Sequence, residues 1–272
     1  MNAFADAIRQ TDQTMAFVPT MGFLHQGHLS LMEEGLKHAD KLVVSIFVNP
    51  AQFGPNEDLD TYPRSLERDL ALCEKMGAAA VFCPRAEEMY PEGFETYVEL
   101  EKLPHHLCGL SRPVFFKGIA TVVTKLFNIV KPHVAVFGEK DFQQLAVIRR
   151  MVHDLCFDIK IVGAPIVREA DGLAMSSRNK YLSPEERPEA LRLSQSLAMA
   201  REMVELETYQ AARIRDAVVT YLEACAKIRV DYVSICDPLT LEEVENIEGP
   251  TLMAIAVMLG KTRLIDNQIL VP

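Results

Sequence analysis

A continuous apolar run at residues 42–48 (LVVSIFV) is the feature of this sequence that most restricts its fold. A strand with one face in solvent alternates apolar and polar residues, whereas a strand covered by helices on both faces reads as an unbroken apolar run. Parallel strands need a crossover connection between them, which is usually a helix. The run therefore predicts a parallel sheet built from βαβ units.

Strand-like and helix-like segments alternate around this run over the first two-thirds of the chain. The other predicted strands lie at residues 15–19, 79–83, 134–137 and 159–162. A predicted helix begins near His28, and further helices cover residues 65–75, 118–130 and 142–157. In the helix at 65–75, Leu66, Leu70 and Cys73 are expected to face the core. With right-handed crossovers, this order gives an α/β fold with a Rossmann-like, doubly wound parallel sheet.

The pattern changes after about Arg178. Two helices are predicted at residues 184–207 and 209–227, followed by short strands at 231–235, 251–258 and 262–265. This arrangement is typical of a smaller α+β domain. We therefore expect a large domain of residues 1–177 and a C-terminal domain of residues 178–272, which could act as a lid.

The composition argues against several classes of protein. Lys and Arg number 28 against 38 Asp and Glu, and the net charge of −10 disfavours nucleic acid as a partner. Residues 1–14 are polar, unlike a signal peptide, and no stretch has the roughly 18 apolar residues of a membrane span. The six cysteines are scattered without a CxxC pair, so we expect reduced thiols, no disulfide or zinc framework, and a cytoplasmic protein.

The first candidate motif follows the first predicted strand and contains His25 and His28 on either side of a glycine. His28 falls at a helix start, where free N–H groups and the helix dipole favour an anion. Imidazoles there can donate to phosphate oxygens, although an isolated HxxH is also compatible with a chance pair or a metal site. Its position favours an anion site, because ligands of doubly wound sheets bind beyond the carboxyl ends of the strands.

Three more polar motifs occupy comparable positions. Residues 138–144 (GEKDFQQ) offer a lysine charge and an amide, or else form a solvated helix start. Residues 175–178 (MSSR) can bracket phosphates with hydroxyls and a guanidinium, or else form a polar loop. Asn49 and Gln52 would recognise hydroxyl and carboxylate groups if buried, and would be turn residues if exposed. No P-loop, GxGxxG or GxSxG motif is present.

Taken together, these segments resemble a known family. The runs PTMGFLHQGHLSL, VVSIFVNPAQFG, DLDTYPR, FGEKDFQQLAVIR, VREADGLAMSSRNKYLS and TRLIDN are similar in order and spacing to those of the pantothenate synthetase (pantoate–β-alanine ligase) family. That family belongs to the nucleotidyltransferase superfamily with the HxGH motif. The resemblance covers nearly the whole chain.

The resemblance implies a cytoplasmic, homodimeric ligase of the coenzyme A pathway. It implies that ATP, with Mg²⁺ expected, drives condensation of pantoate with β-alanine through a pantoyl-adenylate. His28, His25 and Lys140 would be catalytic, and Gln52, Gln144 and, less directly, Asn49 would bind the substrates. The implied ATP-binding residues are Met21, Gly22, His25, His28, Gly138, Glu139, Lys140, Asp141, Val167, Met175, Ser176, Ser177 and Arg178.

Two positions are left open by the resemblance. Relatives usually carry a His-Phe pair where this chain has Phe115-Phe116, so any contribution of that histidine is absent or supplied elsewhere. Asp69 is a conceivable magnesium ligand, but a solvated helix face is the expected role, and the metal ligands are otherwise unknown. Another nucleotidyltransferase that leaves AMP on its product, or an inactive nucleotide-binding scaffold, are the alternative functions.

Overall fold

The computed structural model of the chain describes residues 1–55 and 57–272. These residues pack into two compact units. Unit 1 comprises Met1–Glu101, Arg112–Glu139 and Val147–Pro165, and unit 2 comprises Lys102–Ser111, Lys140–Ala146 and Ile166–Pro272. The predicted domain boundary after residue 177 remains a prediction, because compact packing does not show which segments fold independently. No helix in the described ranges is long and apolar enough to cross a membrane.

Unit 1 is built on a five-stranded parallel sheet with the order β3-β2-β1-β4-β5. The strands are β1 (Met15–Thr20), β2 (Lys41–Ile46), β3 (Ala80–Phe82), β4 (Val134–Gly138) and β5 (Lys160–Ala164). The apolar run predicted to be a central strand is β2, which pairs with β1 on one side and β3 on the other. The strand order reverses between β1 and β4, and such a switch point is where doubly wound sheets bind ligands.

The helices complete both units. In chain order they are α1 (Asn2–Arg9), α2 (Gln26–His38), α3 (Leu66–Lys75), α4 (Ala86–Met89), α5 (Cys108–Ser111), α6 (Phe115–Val130), α7 (Phe142–Asp154), α8 (Arg187–Ala190), α9 (Arg192–Glu205) and α10 (Ala211–Glu223). Helix α1 was not among the elements that the sequence pattern predicts. Helices α5, α8, α9 and α10 belong to unit 2, and α7 begins in unit 2 and continues in unit 1.

Helices cover both faces of the parallel sheet. Met32 of α2 and Cys73 of α3 share a buried cluster with Ala16 and Val44 of the sheet. On the opposite face, the ring of Phe17 meets that of Phe127 from α6 edge to face, with 6.4 Å between the ring centroids. Because the two faces are covered by different helices, the prediction of a doubly wound α/β sheet is confirmed.

The predicted inward face of α3 is wrong in part. Leu66 and Leu70 are 49% and 39% exposed, whereas Asp69 is 1% exposed and Cys73 is buried. The pattern of apolar residues assigned the leucines to the core. Asp69 takes the inward position instead, because its carboxylate accepts hydrogen bonds from backbone N–H groups of another segment. The expectation that Asp69 lies on a solvated helix face is therefore also wrong.

Unit 2 contains a three-stranded antiparallel sheet formed by β6 (Ile228–Cys236), β7 (Thr251–Leu259) and β8 (Thr262–Leu270). Helices α9 and α10 pack on this sheet around a buried apolar cluster that includes Leu197, Ile214 and Ile255. The single helix predicted at residues 184–207 is two helices, α8 and α9. The small α+β arrangement predicted for the C-terminal part is confirmed.

Candidate active site

The two histidines of the first motif cap the N-terminus of α2. His25 is the N-cap residue, and its Nδ1 accepts the backbone N–H of Gly27 over 3.2 Å. In return, Nδ1 of His28 accepts the backbone N–H of His25 over 3.3 Å. This reciprocal pairing is a capping box, a role that Ser or Thr and Glu or Gln usually fill. The motif therefore builds the start of the helix, and ligand binding by its rings remains a prediction.

The capping box also fixes which ring nitrogen carries a proton. A nitrogen that accepts an N–H hydrogen bond is unprotonated, so each neutral ring keeps its proton at Nε2. The two ring centroids are 4.1 Å apart, which places both rings at the same helix end. Two Nε2–H donors at the N-terminus of a 13-residue helix are suited to bind phosphate oxygens.

The loop before His25 is held in a left-handed conformation by Asp69. Gly22 and Phe23 have φ angles of 84° and 50°. Oδ2 of Asp69 accepts the backbone N–H of Phe23 over 2.6 Å, and Oδ1 accepts that of Leu24 over 2.8 Å. A Cβ on Gly22 would also lie 3.1 Å from Oδ2 of Asp69. Both carboxylate oxygens therefore serve to shape this loop.

Asn49 and Gln52 follow β2 and are both buried. Nδ2 of Asn49 donates to Oε1 of Gln52 over 3.0 Å and to the carbonyl oxygen of Gly118 over 3.2 Å. Oδ1 of Asn49 accepts from the hydroxyl of Tyr90 over 2.7 Å and from the backbone N–H of Ala51 over 3.3 Å. These four bonds use the full hydrogen-bonding capacity of an asparagine amide. The geometry favours a positioning role for Asn49, while direct substrate contact remains a prediction.

Gln52 is also linked to Met21, because its Nε2 donates to the sulfur of Met21 over 3.2 Å. The turn that carries Gln52, a 3-10 helix at Pro50–Gln52, is pressed against α6 at Gly118. A Cβ at Gly118 would lie 2.2 Å from the carbonyl oxygen of Ala51, so a side chain cannot be accommodated there. Within unit 1, the structure thus brings Met21, Asn49 and Gln52 into one hydrogen-bonded group.

Phe115, where the family resemblance leads us to expect histidine, stacks on Arg112. The guanidinium carbon of Arg112 lies 3.6 Å from the centre of the Phe115 ring. Arg112 donates to both carboxylate oxygens of Glu57, with the Nε bond measuring 2.7 Å, and also to the carbonyl oxygen of Gln52 over 3.4 Å. Phe115 therefore supports an arginine that holds the backbone at Gln52.

The other two predicted ATP ligands of unit 1, Gly138 and Glu139, lie at the end of β4 and directly after it. Gly138 ends this strand and pairs with Ala164 of β5, and Glu139 begins the 3-10 helix Glu139–Asp141. Because β1 and β4 are neighbours, the segments that begin at Met21 and at Gly138 leave the sheet at its switch point. The sequence prediction that these motifs share one edge of the sheet is consistent with this topology.

Unit 2 contains the second part of the GEKDFQQ motif. Nζ of Lys140 lies 4.0 Å from a carboxylate oxygen of Asp141, and the lysine side chain is 19% exposed. Gln143 is buried and donates to the carbonyl oxygens of Leu103 and His106 over 2.9 and 2.7 Å. Gln144 is only half-buried. Of the two adjacent glutamines, Gln143 holds the backbone at Leu103 and His106, and substrate binding by Gln144 remains a prediction.

The MSSR motif lies on a chain reversal within unit 2. The backbone N–H of Met175 donates to the carbonyl oxygen of Val167 over 2.9 Å, which brings these two predicted ATP ligands together. Oγ of Ser176 accepts the N–H of Arg178 over 3.3 Å and caps the 3-10 helix Ser177–Tyr181. This part of the motif therefore has a defined local geometry, and phosphate binding by it remains a prediction.

The described residues, which omit only residue 56, hold no group of three His, Cys, Asp or Glu side chains placed to bind a metal ion. Asp69, the one candidate from the sequence, already accepts a backbone N–H at each oxygen.

The chain is similar to known proteins over nearly its whole length. Residues 1–269 match the family model described as pantoate-beta-alanine ligase. The chain is 59% identical over 272 residues to a pantothenate synthetase of Desulfatibacillum aliphaticivorans, covering 100% of this chain and 97% of the relative. It is 60% identical over 272 residues to a protein of the same name from Desulforapulum autotrophicum, covering 100% of this chain and 96% of the relative.

Solved structures give the same match. The fold is similar to that of pantothenate synthetase from Thermus thermophilus, with a TM-score of 0.94, 45% identity and 98% of each chain covered. It is also similar to a pantoate-beta-alanine ligase from Francisella tularensis solved with beta-gamma ATP and beta-alanine. In that comparison the TM-score is 0.79, the identity is 32%, and 98% of this chain and 94% of the other are covered.

Proposed function

Because the chain belongs to the pantoate–β-alanine ligase family, we propose that it condenses pantoate with β-alanine at the expense of ATP. The products are pantothenate, AMP and pyrophosphate, and the intermediate is pantoyl-adenylate. The observation that best supports ATP binding is the pair of histidines that caps α2 shortly after β1. Neutral Nε2–H donors at a helix N-terminus match the negative charge of a triphosphate.

The first step needs no serine or cysteine nucleophile. A carboxylate oxygen of pantoate attacks the α-phosphorus of ATP, the bond from that phosphorus to the bridging oxygen breaks, and pyrophosphate leaves. Catalysis then depends on alignment of the two reactants and on neutralising charge that develops on the leaving oxygens. His25, His28 and Lys140 supply this charge stabilisation as hydrogen-bond donors.

The second step forms the amide. The amine of β-alanine attacks the acyl carbon of pantoyl-adenylate, the acyl–oxygen bond breaks, AMP leaves, and the nitrogen loses a proton. Since an acyl-adenylate is readily hydrolysed, the site must exclude water until the amine attacks. Gln52 and Gln144 are the proposed pantoate ligands, and Gln52 also lies next to the bound amine in this proposal. Asn49 holds Gln52 through the hydrogen bond between their side chains.

The proposed ATP ligands are the residues that the family resemblance implies. Glycines and backbone groups allow close approach of the nucleotide, and the hydroxyl and cationic side chains contact phosphate oxygens. The complete set is Met21, Gly22, His25, His28, Gly138, Glu139, Lys140, Asp141, Val167, Met175, Ser176, Ser177 and Arg178.

Magnesium is proposed only as the ion that enters with ATP. Mg²⁺ is commonly held by substrate phosphates together with few protein groups, and the side chains described above do not form a dedicated site. When bound, the ion neutralises phosphate charge. The remaining contributions to substrate binding and catalysis are assigned to side chains and backbone groups of the protein.

We also propose that the protein acts in the cytoplasm as a homodimer. Its six cysteines are scattered along the sequence without a CxxC pair, a pattern typical of reduced thiols in a reducing compartment. The dimer is supported only by the family resemblance. Light scattering of the purified protein tests it directly, because a mass near that of one 30.5 kDa chain would refute it.

The experiment that tests the function measures pyrophosphate and AMP with ATP, magnesium and pantoate, in the presence and absence of β-alanine. We expect equal amounts of pyrophosphate, AMP and pantothenate when all substrates are present. Pyrophosphate with AMP retained on the product would indicate a different nucleotidyltransferase. ATP binding without cleavage would indicate an inactive scaffold.

A matched pair of variants tests the role of the lysine. Lys140→Ala is expected to slow adenylate formation by about 10²- to 10³-fold while leaving the unfolding midpoint unchanged. Lys160→Ala removes an exposed lysine of β5 and is expected to be neutral. Near-normal turnover by Lys140→Ala would remove this residue from the mechanism.

A further inference from the structure

The TRLIDN segment near the C-terminus ends with two adjacent buried polar residues to which the proposed mechanism gives no role. It lies in β8, where Asp266 and Asn267 are 2% and 7% exposed. A buried carboxylate and a buried amide in a strand need hydrogen-bond partners, since each would otherwise be costly to desolvate. Within unit 2, Asp266 is bonded to Arg168, which precedes the MSSR motif, and Asn267 is bonded to Lys140 of the GEKDFQQ motif.

Asp266 is paired with Arg168, just before the MSSR motif. Its two carboxylate oxygens accept from the two terminal nitrogens of Arg168 over 2.7 and 3.0 Å. The same arginine donates to the carbonyl oxygen of Gly172 over 3.1 Å, so the pair fixes the turn that leads back to Met175. The planar fork of the guanidinium matches the carboxylate and adds direction to the contact.

Asn267 contacts the GEKDFQQ motif. Its Nδ2 donates to the backbone carbonyl oxygen of Lys140 over 2.9 Å. Its own backbone N–H donates to Oδ1 of Asp266 over 2.9 Å, which ties it to the ion pair with Arg168. One dipeptide of β8 therefore holds both the backbone of Lys140 and the segment that precedes Met175.

A lysine side chain is long and flexible, so the reach of its charge depends on where its backbone is held. We propose that Asn267 is a positioning residue that fixes the backbone of Lys140, with Asp266 fixing Asn267 in turn. This inference rests on the catalytic role proposed for Lys140. It predicts that Asn267 contributes to adenylate formation only through Lys140.

The test compares Asn267→Ala, and Asn267→Leu as a variant that retains volume, with the full-length wild-type protein. Pantoate-dependent pyrophosphate release at saturating ATP is expected to fall about 10- to 100-fold, because a misplacement of about 1 Å can cost 100-fold in rate. The KM for ATP should change much less than kcat, since the charge acts mainly in the transition state. A structural defect alone would lower the fraction of folded protein, without a selective fall in the kcat of the protein that is folded.

Asn128→Ala is the matched control, because Asn128 also donates its Nδ2 to a backbone carbonyl oxygen, that of Thr124, over 3.0 Å. It lies exposed on α6, and its loss is expected to leave kcat and KM unchanged. Near-normal kcat in both Asn267 variants would overturn the inference. Equal losses in kcat for the Asn267 and Asn128 variants would overturn it as well.

A double-mutant cycle separates positioning from an independent effect. If Asn267 acts through Lys140, adding Asn267→Ala to Lys140→Ala should cause no further loss, whereas independent contributions would multiply. Single-turnover assays with labelled ATP keep slow variants measurable. Near-normal turnover by Lys140→Ala would refute the lysine's proposed role together with this inference. A large loss in Lys140→Ala beside multiplicative losses in the double variant would refute only the inference.

Discussion

Asp69 accepts the backbone N–H of Phe23 over 2.6 Å at a point where Phe23 has a φ of 50°. A left-handed conformation costs a residue with a side chain about 1–2 kcal/mol, so it needs compensation from its surroundings. The second carboxylate oxygen of Asp69 adds to this compensation by accepting the backbone N–H of Leu24. The helix α3 thus stabilises the loop that leads into the histidine motif.

Asp69→Asn is expected to lower the free energy of unfolding by about 1–3 kcal/mol, because an amide N–H₂ would face a backbone donor. Adenylate formation should fall as the loop before His25 loses its anchor. Urea unfolding and pyrophosphate release measure the two effects. Glu67→Gln, an exposed change on the same helix, is the control. An unchanged unfolding curve with a raised magnesium requirement would instead indicate that Asp69 is a metal ligand.

Asn49→Ala is expected to reproduce most of the kinetic defect of Gln52→Ala. Its loss frees Oε1 of Gln52, and it also leaves the hydroxyl of Tyr90 without its acceptor. The double variant should be little worse than Gln52→Ala alone, because the two residues act as one unit. Initial rates against pantoate concentration give the comparison. Multiplying defects would show that Asn49 contacts substrate independently.

His25→Asn separates the structural and chemical roles of the N-cap histidine. Asparagine is among the best N-cap residues, so the unfolding midpoint should be kept or raised, whereas His25→Ala should lose about 1 kcal/mol. Turnover should fall in both, because neither side chain has a donor at the position of Nε2. Thermal unfolding and turnover, measured side by side, check this. Normal turnover in His25→Asn would exclude the ring as a phosphate ligand.

Arg187 is expected to make stability depend on acid pH. Its hydrogen bond lowers the pKa of Asp171 below the usual range. Burial acts to raise the pKa of Glu169, but hydrogen bonds from Arg187 and Asn179 outweigh it and the pKa is lowered. A carboxylate with a depressed pKa in the folded state stabilises above its unfolded pKa, and this stabilisation is lost as pH falls through the folded value.

Arg187→Ala should therefore cost about 0.5–1 kcal/mol at neutral pH, a value kept small because the groups are partly exposed, and progressively less below about pH 4. Urea unfolding at pH 7 and pH 3 measures the difference. Arg201→Ala is the control, since the pair that Arg201 forms with Glu205 at 3.6 Å is exposed. A cost independent of pH would mean that Arg187 contributes through packing alone.

Phe115→His introduces the histidine that the family resemblance leads us to expect and removes the phenyl face that stacks on Arg112. We expect a loss of about 0.5–1 kcal/mol in unfolding free energy, the range for such cation–π contacts. Phe115→Tyr keeps the stacked ring and should retain stability. A histidine variant that is equally stable but has a lower KM for pantoate would show that the family's histidine contacts substrate.

The sequence predicts the parallel sheet more completely than it predicts the hydrogen bonds that hold Asn49 and Gln52. The apolar run at β2 is a local signal and gave a correct strand, and the motif positions follow from the order of strands. Asn49 is different, because two of its partners, Tyr90 and Gly118, lie 41 and 69 residues away. No periodicity encodes such contacts. Gln52 was nominated by resemblance, but the reason for its fixed orientation appears only in the fold.

The burial of Asp69 is a second feature that local sequence patterns do not predict. The pattern of apolar residues predicts that Leu66 and Leu70 face the core, although both side chains are more than a third exposed. A carboxylate is buried when donors are provided for it, and here those donors come from a left-handed loop over 40 residues earlier. The predicted helix at residues 184–207 contains Pro188, which has no backbone N–H to donate and lies in the first turn of α8, whereas the boundary between α8 and α9 at Leu191 has no such residue to mark it.

The contact between Gly118 and Ala51 has a consequence for protein engineering. Since no Cβ fits between α6 and the turn at Pro50–Gln52, that turn cannot be shifted by enlarging residue 118 without breaking the packing. Efforts to make the enzyme accept longer or branched acids should therefore alter the side chains that line the acid rather than the backbone that carries Gln52. Libraries that hold position 118 fixed will retain more folded members than libraries that vary it.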